Sequence, residues 1–338
     1  MPIEPKHWHS FLVEAEVSDL EGDYTLTAGH EFVTLDGRRA LRQTPTLGTQ
    51  RRLRRAIGAI GAGAHWSVGN RVRGTSNRPL LRWSEGDSPR LEIQFITGGI
   101  ELRVGGTLVA TSAPVYTPDA WQYVEVEAYV DASAGWVRVY HNREEIIAWD
   151  GDTSVLATTD TIQWTCISTG AGGSAHWTDL YVAEVVGGDV GTPGNTIGPM
   201  TAPELPPDSD ASTEWDRSTG TDTHALLATQ PHDGDSNYVE SDTADEEDVL
   251  GIDASELADF PVLAVGVVTT ARQPTEGSLQ LRHGITSGAT TEYGVPFHVM
   301  EGFRSRMVGR WLADPDDDEE WTKTKIDALT LRYQSRAG

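Results

Sequence analysis

Cysteine, lysine and long apolar runs are what this 338-residue chain has least of. The single cysteine, Cys166, excludes an internal disulfide framework, so stability has to come from core packing or from neighbouring subunits. No stretch approaches the roughly eighteen consecutive apolar residues of a membrane-spanning helix. The opening residues MPIEPKHWHSFLVEAEV mix charge with strand-like alternation instead of forming a basic-then-apolar leader. A mature chain that begins at Met1 and does not insert into a membrane is therefore expected. Lysine occurs only at Lys6, Lys323 and Lys325, so 23 of the 26 basic residues are arginine. Against them stand 51 acidic residues, for a formal net charge of −25, which argues against nucleic acid as a partner of the whole chain.

The acidity is uneven. Residues 1–190 carry 16 basic and 24 acidic side chains, and residues 191–338 carry 10 and 27. Such a surface repels itself at low salt, whereas near 1 M the Debye length is about 3 Å and the repulsion is screened. Scarce lysine with abundant Asp, Glu and Thr resembles the composition of proteins from extreme halophiles. A GC-rich genome that favours arginine, with an acidic surface that aids solubility, is the alternative.

The clearest pattern runs from Trp121 to Trp149. Val124, Val126, Ala128 and Val130 alternate with Tyr123, Glu125, Glu127 and Tyr129, which assigns an aliphatic face and a wet face to one strand. After a small, polar turn at 131–135, Val137 and Val139 resume the inward set against Arg138 and Tyr140. His141–Glu144 then turns the chain into Ile146–Trp149. Three antiparallel strands with no helical period between them point to a sandwich. Further strands are expected at 11–17, 39–42, 91–96, 100–104, 108–111, 162–167 and 180–186. The fold class is therefore all-β, with two jelly-roll-like β-sandwich domains joined by a Pro/Gly-rich linker. The first domain spans 1–187. Residues 188–210, with Pro193, Pro199, Pro203, Pro206 and Pro207, read as an extended spacer. The second domain, 211–338, has strand signals at 262–269, 279–283, 296–300 and 329–333. A short helical turn is expected after Thr322, with Ile326 and Leu329 facing one core.

Trp121-Gln122-Tyr123-Val124-Glu125-Val126, the 131–135 turn, the Val-x-Val strand and Thr178-Asp179-Leu180-Tyr181-Val182 resemble the laminin-G or concanavalin-A-like sandwich of tailed-phage virion proteins. In the second half, residues 233–239, Thr243-Ala244-Asp245, Asp314-Pro315, Trp321-Thr322 and Ile326-Asp327-Ala328-Leu329 resemble a C-terminal domain that recurs behind it in tailed-virus structural proteins. The usual tight turn after the proline is replaced here by residues 316–320, and Asp327 stands where the pattern has Asn. The resemblance implies a virion protein, assembled in the host cytoplasm and displayed on the particle surface, and it brings no catalytic residues.

The residues offer little catalytic chemistry. Retaining glucanases of this fold place Glu-x-Asp-x-x-Glu on one strand, and the nearest match, Glu85-Gly86-Asp87-Ser88-Pro89-Arg90, ends in arginine and contains a strand-breaking proline. Cys166 reads as a buried strand residue. Residues 57–63 are glycine-rich but lack the Gly-Lys-Ser/Thr of a phosphate loop, and read as a flexible loop. No cofactor is expected. Calcium is the one candidate, because Asp233, Asp235 and Asn237 begin like an EF-hand loop. Tyr238 and Ala244, however, occupy the positions that need Gly and Glu. Looser acidic sites would lie at Asp150 with Asp152 or in 314–320. The Ala-His-Trp echo at 64–66 and 175–177 reads as packing on equivalent strands.

Two groups are binding candidates. Arg38, Arg39, Arg42, Arg51, Arg52, Arg54 and Arg55 form a basic cluster suited to an acidic neighbouring subunit or to pairing within their own domain. Trp121, Trp136 and Trp149 are candidates for stacking on sugars, against the alternative of burial as core anchors. The expectation is a non-enzymatic fibre, spike or tail-associated protein of a tailed virus that forms a homo-oligomer, assembles with other virion proteins and contacts host surface glycans. A capsid decoration or turret subunit is the alternative, and a cell-surface glycan-binding protein or glycanase is a further one.

Overall fold

The computed structural model describes residues 3–9, 25–26, 30–36, 38–46, 49–74, 78–96, 99–167, 173–198, 204–228, 235–255, 257, 262–273 and 279–337. They fall into two compact units, the first holding the described residues up to 198 and the second those from 204 onward. The strand expected at 11–17 lies outside the described residues.

The strands of the first unit are β1 (Ile3–His9), β2 (Thr25–Leu26), β3 (His30–Leu35), β4 (Arg38–Gln43), β5 (Gln50–Ala56), β6 (His65–Gly74), β7 (Arg78–Glu85) and β8 (Ser88–Ile96). They continue with β9 (Gly99–Val104), β10 (Thr107–Thr111), β11 (Gln122–Tyr129), β12 (Trp136–His141), β13 (Glu144–Asp150), β14 (Thr161–Ile167) and β15 (Ala175–Val185). One sheet has the order β13-β12-β11-β6-β15-β4-β3, with β1 also paired to β15. The other has the order β10-β9-β8-β7-β14-β5-β2. Every pairing is antiparallel, as expected of a sandwich whose strands alternate inward and outward residues.

The register explains the core. Leu53, Trp164, Leu81, Ile93 and Leu102 are successive partners across five strands, so they line one row of the second sheet's inner face, and all are fully buried. On the first sheet Val124, Val126 and Ala128 of β11 and Val137 and Val139 of β12 are likewise fully buried, with Val126 opposite Val139 and Ala128 opposite Val137. Gln43 links the two: its Nε2 donates to the Trp164 carbonyl at 3.0 Å and its Oε1 accepts from Trp177 Nε1 at 3.0 Å. This bridge satisfies a buried amide at the heart of the sandwich. Asn142 and Arg143, at φ 50° and 78°, form the tight turn between β12 and β13 that matches strand twist. The glycine-rich 57–63 loop is pinned by amide bonds from Ile57, Ile60, Gly61 and Gly63 to carbonyls at 160, 159, 157 and 130. The Ala-His-Trp echo marks the starts of the neighbouring strands β6 and β15, whose Trp66 and Trp177 are both buried.

The second unit contains β16 (Pro207–Ser212), β17 (Asp216–Arg217), α1 (Thr223–Leu227), β18 (Val239–Glu240), β19 (Glu247–Ile252), β20 (Val265–Ala271) and β21 (Leu279–Ser287). After these come β22 (Thr290–Tyr293), β23 (Phe297–His298), β24 (Arg304–Trp311), α2 (Lys323–Asp327) and β25 (Thr330–Ala337). A sheet ordered β16-β19-β25-β21-β22, with β23 also on β21, faces the β20-β24 ribbon across Ile285, Trp311, Trp321, Ile326 and Leu329. The helical turn expected after Thr322 is α2: the Thr322 hydroxyl accepts from the Lys325 amide at 3.3 Å, and Ile326 and Leu329 enter one core. The strand expected at 296–300 shrinks to Phe297–His298.

Candidate functional site

The outer face of the first sheet was expected to be wet on β11. It is not: Tyr123 is 1% exposed, and Glu125 and Glu127 are 0% exposed. The cover is part of the stretch read as a spacer. Residues 187–198 fold back onto the first unit and lie across β11, β6 and β12. They make no strand, as the Pro and Gly content predicts, so their amides have to find other acceptors.

Two glutamates supply them. Glu127 Oε2 accepts from the Gly194 amide at 2.9 Å, and its Oε1 accepts from the Asn195 amide at 2.9 Å. The same carboxylate accepts from Tyr140 Oη at 3.1 Å and lies 2.8 Å from His65 Nε2. Glu125 accepts from the Ile197 amide at 2.7 Å, the Gly198 amide at 3.1 Å and Ser67 Oγ at 3.2 Å. Trp136 Nε1 donates to the Gly191 carbonyl at 3.1 Å, and the Gly191 amide donates to His65 Nδ1 at 3.3 Å, which makes Nε2 the protonated nitrogen of that ring when it is neutral. Gly191, at φ 82°, lies flat against the Tyr129 ring. Burial pushes the Glu125 carboxyl up to about 8, outweighing the amide and hydroxyl bonds that pull it down; the nearby Glu127 also raises it.

Glu125 and Glu127 are two residues apart on one strand face, a separation of roughly 7 Å from the strand rise. Carboxylates at that spacing in an open cleft would suit hydrolysis with an inserted water. Here all four oxygens are taken up by groups of the fold, so the pair acts as a clasp for the 187–198 strap.

The outer face of the second sheet is built differently. Arg54, Gln163, Arg82, Glu92 and Arg103 are successive cross-strand partners, and so are Arg52, Thr165, Leu80, Gln94 and Glu101. These two rows cross five strands, about 19 Å at the usual interstrand spacing. Arg82 Nε donates to Glu92 at 2.7 Å, Arg52 Nη1 to Asp87 at 2.8 Å, and Gln163 Nε2 to the Gly86 carbonyl at 3.1 Å. A depression of about 260 Å³ opens at one end among Arg90, Glu92, Gln94 and Arg103. At the centre of these rows Gln163, Thr165 and Leu80 are buried, so the face presents the partly exposed Arg52, Arg54, Arg82, Glu92, Gln94, Glu101 and Arg103 around them. Such a surface can hydrogen-bond a polyhydroxylated chain through several groups at once.

The seven arginines do not form one cluster. Arg38, Arg39 and Arg42 lie on β4 of the first sheet, whereas Arg51, Arg52, Arg54 and Arg55 lie on β5 of the second, because the chain changes sheets between them. Arg38 pairs with Asp179 at 3.4 Å and Arg42 with Glu31, while Arg52 and Arg54 converge on Asp87. Trp136 is buried under the strap, with Arg138 over its ring, and Trp121 stands edge-on to His176. Trp149 is half-buried opposite Val137, so the three tryptophans do not make one platform. Asp233 lies outside the described residues. Asp235 is ion-paired with Arg272, and Asn237 Oδ1 faces Thr219. Asp150 pairs with Arg138 at 2.7 Å, and Lys325 bridges Asp314 and Asp317 in the acidic turn. Among the described residues no group of three or more His, Cys, Asp or Glu side chains is placed to hold a metal. The Cys166 thiol is buried and pushed up to about 12, which leaves it inert. Sequence reasoning missed the strap and the two rows of the second sheet.

No protein-family model matches the chain, and no curated protein matches it. Among solved structures, a protein with a galectin-like fold from Bacillus subtilis is 14% identical, with a TM-score of 0.41, over 54% of this chain and 97% of its own. Basic winged bean lectin with Tn-antigen is 10% identical, with a TM-score of 0.39, over 54% and 98%. The alginate lyase AlgAT5 of polysaccharide lyase family 7 is 12% identical, with a TM-score of 0.37, over 53% and 94%. A sialidase is 10% identical with a TM-score of 0.38, and this chain spans only 18% of its length. No residue's role passes from one chain to another at this level of likeness.

Proposed function

We propose that this chain is a non-enzymatic structural protein of a tailed-virus particle whose first unit contacts host surface glycans through the outer face of the second sheet. The observation that carries the glycan contact is the set of partly exposed Arg52, Arg54, Arg82, Glu92, Gln94, Glu101 and Arg103 side chains on β5, β7, β8 and β9, around the buried Gln163, Thr165 and Leu80. Hydroxyl groups of a glycan meet both donors and acceptors along them, held by strands and not by loops. Saturation of Glu125 and Glu127 by strap amides supports a structural role for that carboxylate pair. The virion setting is supported by the resemblance of both halves, in this order, to tailed-virus proteins.

A glycan array probed with the full chain, together with a reducing-sugar assay on the glycans it retains, tests the reading. Binding without turnover is expected, and Arg82→Ala with Glu92→Ala should abolish it. Turnover, or binding that survives both substitutions, would overturn it. Locating the chain in a particle density map tests the virion setting.

A further inference from the structure

The buried face beneath residues 187–198 is held shut by an unequal pair of carboxylates. Glu127 has an imidazole partner, His65, at 2.8 Å. Glu125 has none among the described residues: its acceptor contacts are the Ile197 and Gly198 amides and the Ser67 hydroxyl, all neutral. The other groups around it do not supply a positive charge. On β6, Arg71 is engaged by Asp179 at 2.8 Å. On β12, Arg138 turns to Asp150 and Tyr140 donates to Glu127, while His141 faces Gln122. Tyr181 of β15 meets Ser67, Tyr123 of β11 stacks under Arg71, and Arg143 of the β12–β13 turn lies against Gly198 at the exposed rim. A charge on Glu125 is therefore poorly compensated while the strap is down and fully hydrated once it lifts.

We propose that residues 187–198 are a proton-controlled strap, closed over the outer face of the first sheet while Glu125 holds a proton and released as that proton is lost. Release uncovers Tyr123, Tyr129, Trp136, Tyr140 and Tyr181. Exposed Gly187, at φ 76°, with Gly188 beside it, supplies the hinge. The inference is independent of the second sheet's role.

The direction follows from linkage. Below the ordinary carboxyl range both states are protonated and the strap is most stable. From about pH 4.5 to about 8 the closed state keeps a proton that the open state has lost, so closure weakens by up to tenfold per pH unit; above that it weakens no further.

Amide hydrogen exchange of the full chain between pH 5 and 9, corrected for intrinsic rates, reads this out. Protection of Gly194, Asn195, Ile197 and Gly198 is expected to fall by up to tenfold per pH unit as far as about pH 8, while the β6–β11 ladder keeps its protection. Glu125→Gln, which preserves an acceptor oxygen but cannot ionise, should flatten the dependence. Strap protection in the native chain that does not change with pH would overturn the proposal, with or without a folded variant. So would loss of protection shared with the ladder, or an unchanged slope in Glu125→Gln.

Discussion

Replacing Glu127 by alanine is the most direct test of how the strap is attached. The carboxylate serves four groups: the Gly194 and Asn195 amides of the strap, Tyr140 Oη and His65 Nε2. A hydrogen bond to a charged group contributes about 1.5–3 kcal/mol net, and an orphaned buried donor costs a similar amount. Losing the two strap bonds therefore weakens docking by about 3–6 kcal/mol. At about 1.4 kcal/mol per tenfold, that is at least a hundredfold increase in strap opening. The cost to the whole unit is capped, because lifting the strap lets water reach all four orphaned groups. The variant should therefore open locally and remain folded. Hydrogen exchange at residues 191–198 and proteolysis within them should accelerate at least a hundredfold, while the β7–β14 ladder is unchanged. Native-like strap protection in Glu127→Ala would refute the clasp. Cooperative loss of the whole first unit would refute the cap on its cost. Glu127→Gln, which keeps one acceptor, should fall between.

Three further outcomes are expected. Because the net charge of −25 is self-repelling, thermal midpoints should climb with KCl into the molar range, and a flat dependence in calorimetry would remove the halophilic reading. Gly135→Ala should cost at least about 1–3 kcal/mol in chemical denaturation. A Cβ there runs into Thr153 Oγ1 and the carbonyls of Asp131 and Gly151, and a native-like midpoint would show that the β11–β12 turn is not so tight. Burial lowers the His283 imidazole from 6.5 to about 3, so the folded second unit keeps it neutral while the unfolded chain protonates it. Stability of that unit should fall as pH drops from 6.5 towards about 3. Acid unfolding followed by tryptophan fluorescence should shift to lower pH in His283→Gln, and an unchanged midpoint would count against this assignment.

Most of the sandwich was legible because period-two alternation and turn chemistry are local. Asn142 and Arg143 with positive φ, Gly105-Gly106 between β9 and β10, and the Thr322 cap of α2 each act within a few residues of where they are read. The arginine cluster misled because closeness in sequence is not closeness in space. One residue after Arg42 β4 ends, and Gln50 begins a strand in the opposite sheet. The rows of the second sheet depend on register among five strands drawn from residues 50–167, which no local pattern encodes.

The strap is the harder case. Alternation says which residues share a face, and it cannot say what covers that face. Charge alone therefore points Glu125 and Glu127 to water. Two local features argue otherwise. The glutamates are flanked on their own face by Tyr123 and Tyr129, an aromatic frame too large to leave exposed on a strand at the centre of a sheet. Residues 187–198 contain eleven non-proline amides and no strand pattern, so if they pack at all they need acceptors outside a ladder. A Gly-rich segment can turn its amides towards a side chain because glycine adopts left-handed backbone without strain, as Gly191, Gly194 and Gly198 do at φ 82°, 100° and 79°. Acidic residues inside an otherwise apolar strand, followed within one domain by such a segment, therefore form a donor–acceptor pair. A spacer and a strap have the same composition, and the unmatched acceptors on the sheet distinguish them.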